Sequence, residues 1–319
     1  KKIILFSGDP NSINSEIIYK TWKKISSKQK ENTFIISNFN LLKDQFKKLN
    51  YKISPILIEN IFKSKNSKKM KIINVDLKYK NSFKVPVNSS SKYVFKSLNL
   101  AHNLALNKKV AGIINCPINK SIFGRNKTGV TEFLASKCSV RNNKEVMVIG
   151  NEKLMVSPVT THLDLKSVSK KLNKKLIVKK ISTLNNWYVK FFKKKPKIAI
   201  LGLNPHNAEF RDNSEEKLII IPAIKKLRKQ GILLNGPFAA DTIFINEYKK
   251  FNVIIGMYHD QVLTPFKTLF KFNAINITLG LKYTRVSPDH GVAINKILKK
   301  ESNPSSLLKC FNFISKSKK

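Results

Sequence analysis

Short apolar runs alternate with longer amphipathic stretches along this chain, and that alternation constrains the fold more than any other feature. The runs at 3–6, 33–36, 110–115, 146–149, 197–201, 253–255 and 274–277 have the length and β-branched content of buried strands. Between them, apolar residues recur at helical spacing at 15–25, 41–49, 90–107, 166–190, 215–229 and 260–270. Strands that alternate with helices predict a mostly parallel sheet with helices on both faces. The length of 319 residues suits one large or two ordinary domains, and a hydrophobic content of 42% is enough for a sizeable core. No repeat with a period of 20–50 residues interrupts the pattern.

Lysine-rich segments at 63–71 and 190–197 read as loops or exposed helix ends, and 316–319 as a frayed tail. None has the Ser/Gly/Pro composition of a long linker, so the expectation is two closely packed domains with a cleft between them. The net charge of +42 raises nucleic acid as a partner. Only five of the 61 basic residues are arginine, however, and arginine is the usual tool for base edges and bidentate phosphate contacts. The charge therefore reads as a solvated lysine surface, and nucleic acid is not the expected partner. Cys116, Cys138 and Cys310 show no C-x-x-C spacing, which fits a reducing compartment. No apolar run approaches the roughly 18–20 residues that span a bilayer. The opening apolar run turns polar at Ser7, too soon for a secretory segment. The expectation is a soluble cytoplasmic protein.

Polar residues cluster just after the strands: Ser7-Gly8-Asp9-Pro10, Cys116-Pro117-Ile118-Asn119-Lys120, Asn204-Pro205-His206 and Tyr258-His259-Asp260-Gln261. In open α/β sheets the carboxyl ends of the strands line the ligand crevice. Three of the five histidines, His162, His206 and His259, sit in such polar turns. Neutral imidazoles suit zinc and related divalent ions, and three protein ligands leave a position open for substrate. Their long spacings carry no local signature, so each is equally readable as a hydrogen-bonded turn residue. His290 could start a helix, and His102 lies on the apolar side of one and reads as structural.

Neither G-x-G-x-x-G nor G-x-x-x-x-G-K-[ST] occurs, which removes the common dinucleotide and P-loop fingerprints without excluding a nucleotide. Lys267, Asn276 and Arg285 offer donors for an anion. Lys267 is equally a surface lysine, and Arg285 lies in what reads as a Thr/Ser/Asp/His turn. Thr131 and Glu132 follow Gly129 like a helix start, where free N–H groups can hold an anion. Asp241 reads as a helix N-cap, and Asp9 as a residue satisfying backbone donors in a strand-to-helix turn.

In this order the stretches GDPNSINSEI (8–17), CPINK (116–120), GVTEFLA (129–135), TTHLDL (160–165), LNPHNAE (203–209), GPFAADTIF (236–244), YHDQVLTPFK (258–267), NITLGL (276–281) and SPDHGVA (287–293) resemble the 4-hydroxythreonine-4-phosphate dehydrogenase family of pyridoxal phosphate biosynthesis. The resemblance covers nearly the whole chain. It implies two α/β/α domains of the isocitrate and isopropylmalate dehydrogenase type, approximately 1–130 with 280–319, and 131–279. It implies a homodimer that oxidises 4-hydroxythreonine 4-phosphate with NAD or NADP and decarboxylates the product to 3-amino-2-oxopropyl phosphate. A divalent metal (Zn, Mg or Co) would be held by His162, His206 and His259, the third from the partner subunit. Thr131, Lys267, Asn276 and Arg285 would contact substrate. Lys267, Asp241 and a metal-bound water all stay open as the general base, and no residue is assigned to the nicotinamide cofactor. Where the family has Gly-His-Thr-Glu this chain has Gly129-Val130-Thr131-Glu132, and non-glycine residues follow His206 where glycines are usual. The alternatives are oxidation of a related threonate or erythronate 4-phosphate, or a non-catalytic basic descendant.

Overall fold

A computed structural model describes residues 1–124, 129–138, 145–161, 163–271 and 273–316. The chain divides into two compact units, Lys1–Cys138 with Leu281–Lys319, and Ser139–Gly280. The first unit begins with β1 (Lys2–Phe6), α1 (Asn14–Lys24), α2 (Ser27–Asn32), β2 (Thr33–Ser37) and α3 (Phe39–Lys48). It continues through β3 (Ile56–Leu57), β4 (Lys71–Asn74), α4 (Val87–Ala105), β5 (Val110–Asn115) and α5 (Val130–Lys137). The second holds β6 (Val146–Gly150), β7 (Met155–Pro158), α6 (Leu165–Lys171), α7 (Lys174–Phe192) and β8 (Ile198–Leu201). A π-helical turn (Glu216–Ile220) then runs into α8 (Ile221–Lys229), followed by β9 (Leu234–Phe238) and α9 (Ala240–Ile243). β10 (Val253–Gly256), α10 (His259–Phe270) and β11 (Ile275–Leu279) complete that unit, and the chain returns to the first with β12 (Thr284–Pro288) and α11 (Ser305–Ser315).

In the first unit the strand order is β3-β4-β2-β1-β5-β12, with parallel pairing throughout. Successive strand residues point to opposite faces, so β1 splits its side chains. Ile4 and Phe6 join Tyr93, Val94, Leu98 and Ala101 of α4 in one apolar cluster. Ile3 and Leu5 are equally buried and face the other way, where α11 packs on β12 and β5 and against α1. α4 buries Ser90, Tyr93, Val94, Ser97, Leu98, Ala101, His102 and Ala105, the i, i+3, i+4, i+7 stripe that its sequence dictates.

In the second unit the order is β11-β6-β7-β10-β8-β9, parallel from β7 to β9 and antiparallel at β11–β6 and β6–β7. Its core joins Val156 of β7, Ala199 and Leu201 of β8 and Ile254 of β10 to Val262, Leu263 and Phe266 of α10.

Several elements differ from the sequence-based expectation. The helix expected over 166–190 is two helices, because Asn173 accepts from the Leu176 N–H at 2.9 Å and so caps α7 where the periodicity runs straight through. Strands β7, β9 and β12 carry no alternating signal, and β9 contains Gly236-Pro237, a pair that argues against a strand except at the sheet edge where β9 lies. Lys71, expected in an exposed segment, is the fully buried first residue of β4. Its Nζ donates to the Glu31 and Ser67 carbonyls and lies 4.5 Å from the centre of the Phe34 ring.

Candidate functional site

Parallel pairing of β7, β10 and β8, in that order, puts their carboxyl ends side by side. β7 leads through Val159, Thr160 and Thr161 to His162, which lies outside the described residues. The approach to it is held, because the Val159 N–H donates to Gly256 O at 2.8 Å, and both the N–H and Oγ1 of Thr160 donate to Met257 O. β10 leads through Met257 and Tyr258 to His259, the first residue of α10.

His259 is partly exposed, and its Nδ1 lies 2.6 Å from Asp260 Oδ1. A carboxylate beside one ring nitrogen is the kind of outer partner that metal-bound histidines use.

β8 leads through Gly202, Leu203 and Asn204 to His206. From His206 to Phe210 the backbone runs at positive φ, with values of 50°, 58°, 52°, 51° and 54°. A left-handed turn made of five non-glycine residues costs about 1–2 kcal/mol per residue in steric strain. It is held from inside: buried Asn207 donates from Nδ2 to Pro237 O at 3.3 Å, and the Asn207 N–H donates to Asn204 O at 3.1 Å. Glu216, wholly buried, accepts the N–H groups of Leu203 and Asn204 on Oε1 and the Asn204 amide on Oε2. His206 itself is exposed. Among the described residues, no group of three or more His, Cys, Asp or Glu is arranged to hold a metal.

The first unit carries a separate cluster. Arg285 is 4% exposed as the second residue of β12, not in the turn that the sequence suggests. Its Nε donates to Asn115 Oδ1 at 2.5 Å, at the carboxyl end of the adjoining β5, and Nη1 donates to Thr131 Oγ1 at 3.3 Å. Burial pushes the guanidinium pKa down to about 10, with the Glu132 carboxylate among the charges opposing the shift. It stays cationic at neutral pH, and a guanidinium is a strong donor to an anionic group. Thr131 is in the first turn of α5, whose N-cap Gly129 stands at φ 110°. Val130 packs on the apolar cluster of this unit and presents no polar group.

The remaining candidates are in the second unit. Lys267 is exposed on α10, and Asp241 is exposed in the first turn of α9, whose N-cap is Ala239 rather than Asp241. Asn276 is in β11, and its Oδ1 is buried without a hydrogen-bond partner among the described residues. His290 starts no helix; it sits in a bend with Nδ1 3.0 Å from Gly291 O. His102 is buried in α4 with Nδ1 2.9 Å from the Tyr283 hydroxyl, and burial lowers its pKa. Asp9 accepts the N–H groups of Asn11 and Asn119 and is a loop staple whose pKa burial raises. Sequence reasoning missed Asn115 and Glu216, and named Gln261 only within a strand-end cluster. Asn115 ends β5, and that position could have marked it; Glu216 opens a helical turn well past β8 and carries no local signal.

Residues 29–314 match the family described as pyridoxal phosphate biosynthetic protein PdxA. The 4-hydroxythreonine-4-phosphate dehydrogenase of Sulfurihydrogenibium sp. is 36% identical over 316 residues, covering 96% of this chain and 95% of that protein. The Aquifex aeolicus enzyme of the same name is 36% identical over 326 residues, covering 98% and 97%. Among solved structures, the 4-hydroxythreonine-4-phosphate dehydrogenase of Klebsiella pneumoniae superposes with a TM-score of 0.85 at 27% identity, covering 99% of this chain and 98% of that one.

Proposed function

On the premise that this chain belongs to the pyridoxal phosphate biosynthetic protein PdxA family, a family of dehydrogenases, we propose that it oxidises 4-hydroxythreonine 4-phosphate with NAD or NADP. The observation that carries the reading furthest is that the exits of β7, β8 and β10 lead to His162, His206 and His259 at one end of the sheet, with His259 Nδ1 2.6 Å from Asp260 Oδ1. His162 and His206 of one copy and His259 of the other would form a donor set that fits zinc, cobalt or a similar divalent ion across a homodimer. Such an ion supplies Lewis acidity toward the hydroxyl to be oxidised.

The chain's own residues bind and orient. Arg285, fixed by Asn115 and Thr131, holds an anionic group of the substrate, and Thr131 adds a hydroxyl from the start of α5. Asn276 brings an unsatisfied buried oxygen that a substrate donor would satisfy. Lys267 binds a second anionic group, and Lys267 or Asp241 takes up the hydroxyl proton. A nicotinamide cofactor, when bound, would supply the hydride acceptor for the substrate carbon. The resulting β-keto acid then loses CO₂ to give 3-amino-2-oxopropyl phosphate. The compartment is cytoplasmic, and no helix among the described residues is long and apolar enough to cross a membrane.

Val130 favours a second reading, since it is turned into apolar packing where the resemblance leads one to expect a histidine that contacts substrate. On that reading the substrate is a threonate or erythronate 4-phosphate. Assaying all three phosphates with NAD and with NADP, by absorbance of the reduced nicotinamide, separates the two. Turnover should be highest on 4-hydroxythreonine 4-phosphate. Turnover confined to the other acids would establish the second reading, and none on any would defeat both.

A further inference from the structure

The exits of β8 and β10 are joined by buried polar side chains that the proposed reaction does not itself use. Gln261, in the first turn of α10 and 8% exposed, accepts the Met257 N–H on Oε1 at 2.7 Å. Through Nε2 it donates to Gly202 O, also at 2.7 Å. Next to Gly202, the N–H groups of Leu203 and Asn204 reach Glu216 Oε1 at 2.7 and 2.9 Å, and Asn204 Nδ2 reaches Oε2 at 3.0 Å. On the other side of Met257, its carbonyl takes the two hydrogen bonds from Thr160. Each of these contacts precedes a histidine by a few residues: Gly202 before His206, Met257 before His259, Thr160 before His162.

The fit is close. A Cβ on Gly202 would fall 2.1 Å from Asn207 Oδ1 and 3.0 Å from Glu216 Oε1, and one on Gly256 would fall 3.0 Å from Gln261 Oε1. Burying a carboxylate and an amide away from solvent is costly unless their hydrogen bonds are made, so this network stands only in its full arrangement. The π-helical turn that carries Glu216 is itself a departure from regular helix of the kind that gathers at functional sites.

We infer that Gln261 and Glu216 are positioning residues, which fix the orientation of the His206 turn toward one metal site and of the His259 turn toward the site it shares with the partner copy. The inference rests on the metal reading proposed above. Neither side chain is a ligand; each acts through backbone that the ligands hang from. Gln261→Glu keeps the volume and the acceptor for Met257 N–H, but sets a negative oxygen against Gly202 O. Glu216→Gln keeps one acceptor and turns an NH₂ toward an N–H donor.

The test is titration of the whole protein with cobalt(II), read by its visible d–d absorption, with thermal unfolding measured beside it. In both variants the cobalt affinity should fall about 10- to 100-fold and the band should change shape, as happens when the outer partners of metal ligands are altered. Folded variants that keep the wild-type affinity and band overturn the inference, even where Tm drops. A wild-type chain that binds no cobalt overturns the metal reading and this inference with it. Equal binding by wild type and variants overturns the positioning role alone.

Discussion

Lys71 shows how a single residue escapes a sequence reading. Nothing in a lysine-rich segment sets it apart, yet it opens β4 with its ammonium folded onto Phe34 and the Glu31 carbonyl. Burial, reinforced by the Lys2 charge, lowers its pKa to about 8. In the unfolded chain it returns to about 10.4. Between those values the unfolded state holds more protons than the folded one, so stability rises with pH across that window and falls as pH drops through the folded value. Urea unfolding of wild type and Lys71→Met at pH 8 and pH 10 should show wild type gaining on the variant as pH rises. Parallel curves would mean that Lys71 titrates normally. For Arg285 the sequence marks a donor for an anion but neither its burial nor its partners, because Asn115 and Thr131 are 170 and 154 positions away and no local pattern encodes such contacts.

At the scale of elements, periodicity located the long helices and the strongest strands because burial of one face repeats every 3.6 or 2 residues. It could not separate α6 from α7, where only the competition of Asn173 for backbone N–H groups breaks the helix. The turn Pro205–Phe210 is the other element the sequence hides, since five non-glycine residues do not announce a left-handed conformation. Ala208, at φ 52°, tests it directly. Relief of left-handed strain is worth about 1–2 kcal/mol. The added freedom of glycine in the unfolded chain costs about 0.4–1 kcal/mol. Relief exceeds cost, so Ala208→Gly should stabilise the protein by roughly 0.5–1 kcal/mol in urea unfolding. Destabilisation would show that the turn is not left-handed at this residue.

For the whole molecule, the decisive question is whether two copies share the histidines. His206→Ala and His259→Ala should each abolish turnover and metal uptake. If His259 serves the neighbouring subunit, mixing the two inactive variants and allowing subunits to exchange restores intact sites in mixed dimers, up to about a quarter of wild-type activity. Activity that stays absent in an exchanged mixture would place all the ligands within one chain. The alternation of apolar runs was enough, by itself, to determine a mostly parallel α/β protein with polar residues at its strand ends, because secondary-structure period and strand-end placement are local properties. Its nine ordered motifs likewise carried the family. Only the tertiary structure decided that β12 delivers a buried arginine to Asn115, that Glu216 and Gln261 bond the backbone ahead of His206 and His259, and that a lysine could be buried at the start of β4. Those depend on hydrogen bonds and desolvation between residues distant in the chain, which come into being only when the strands have paired.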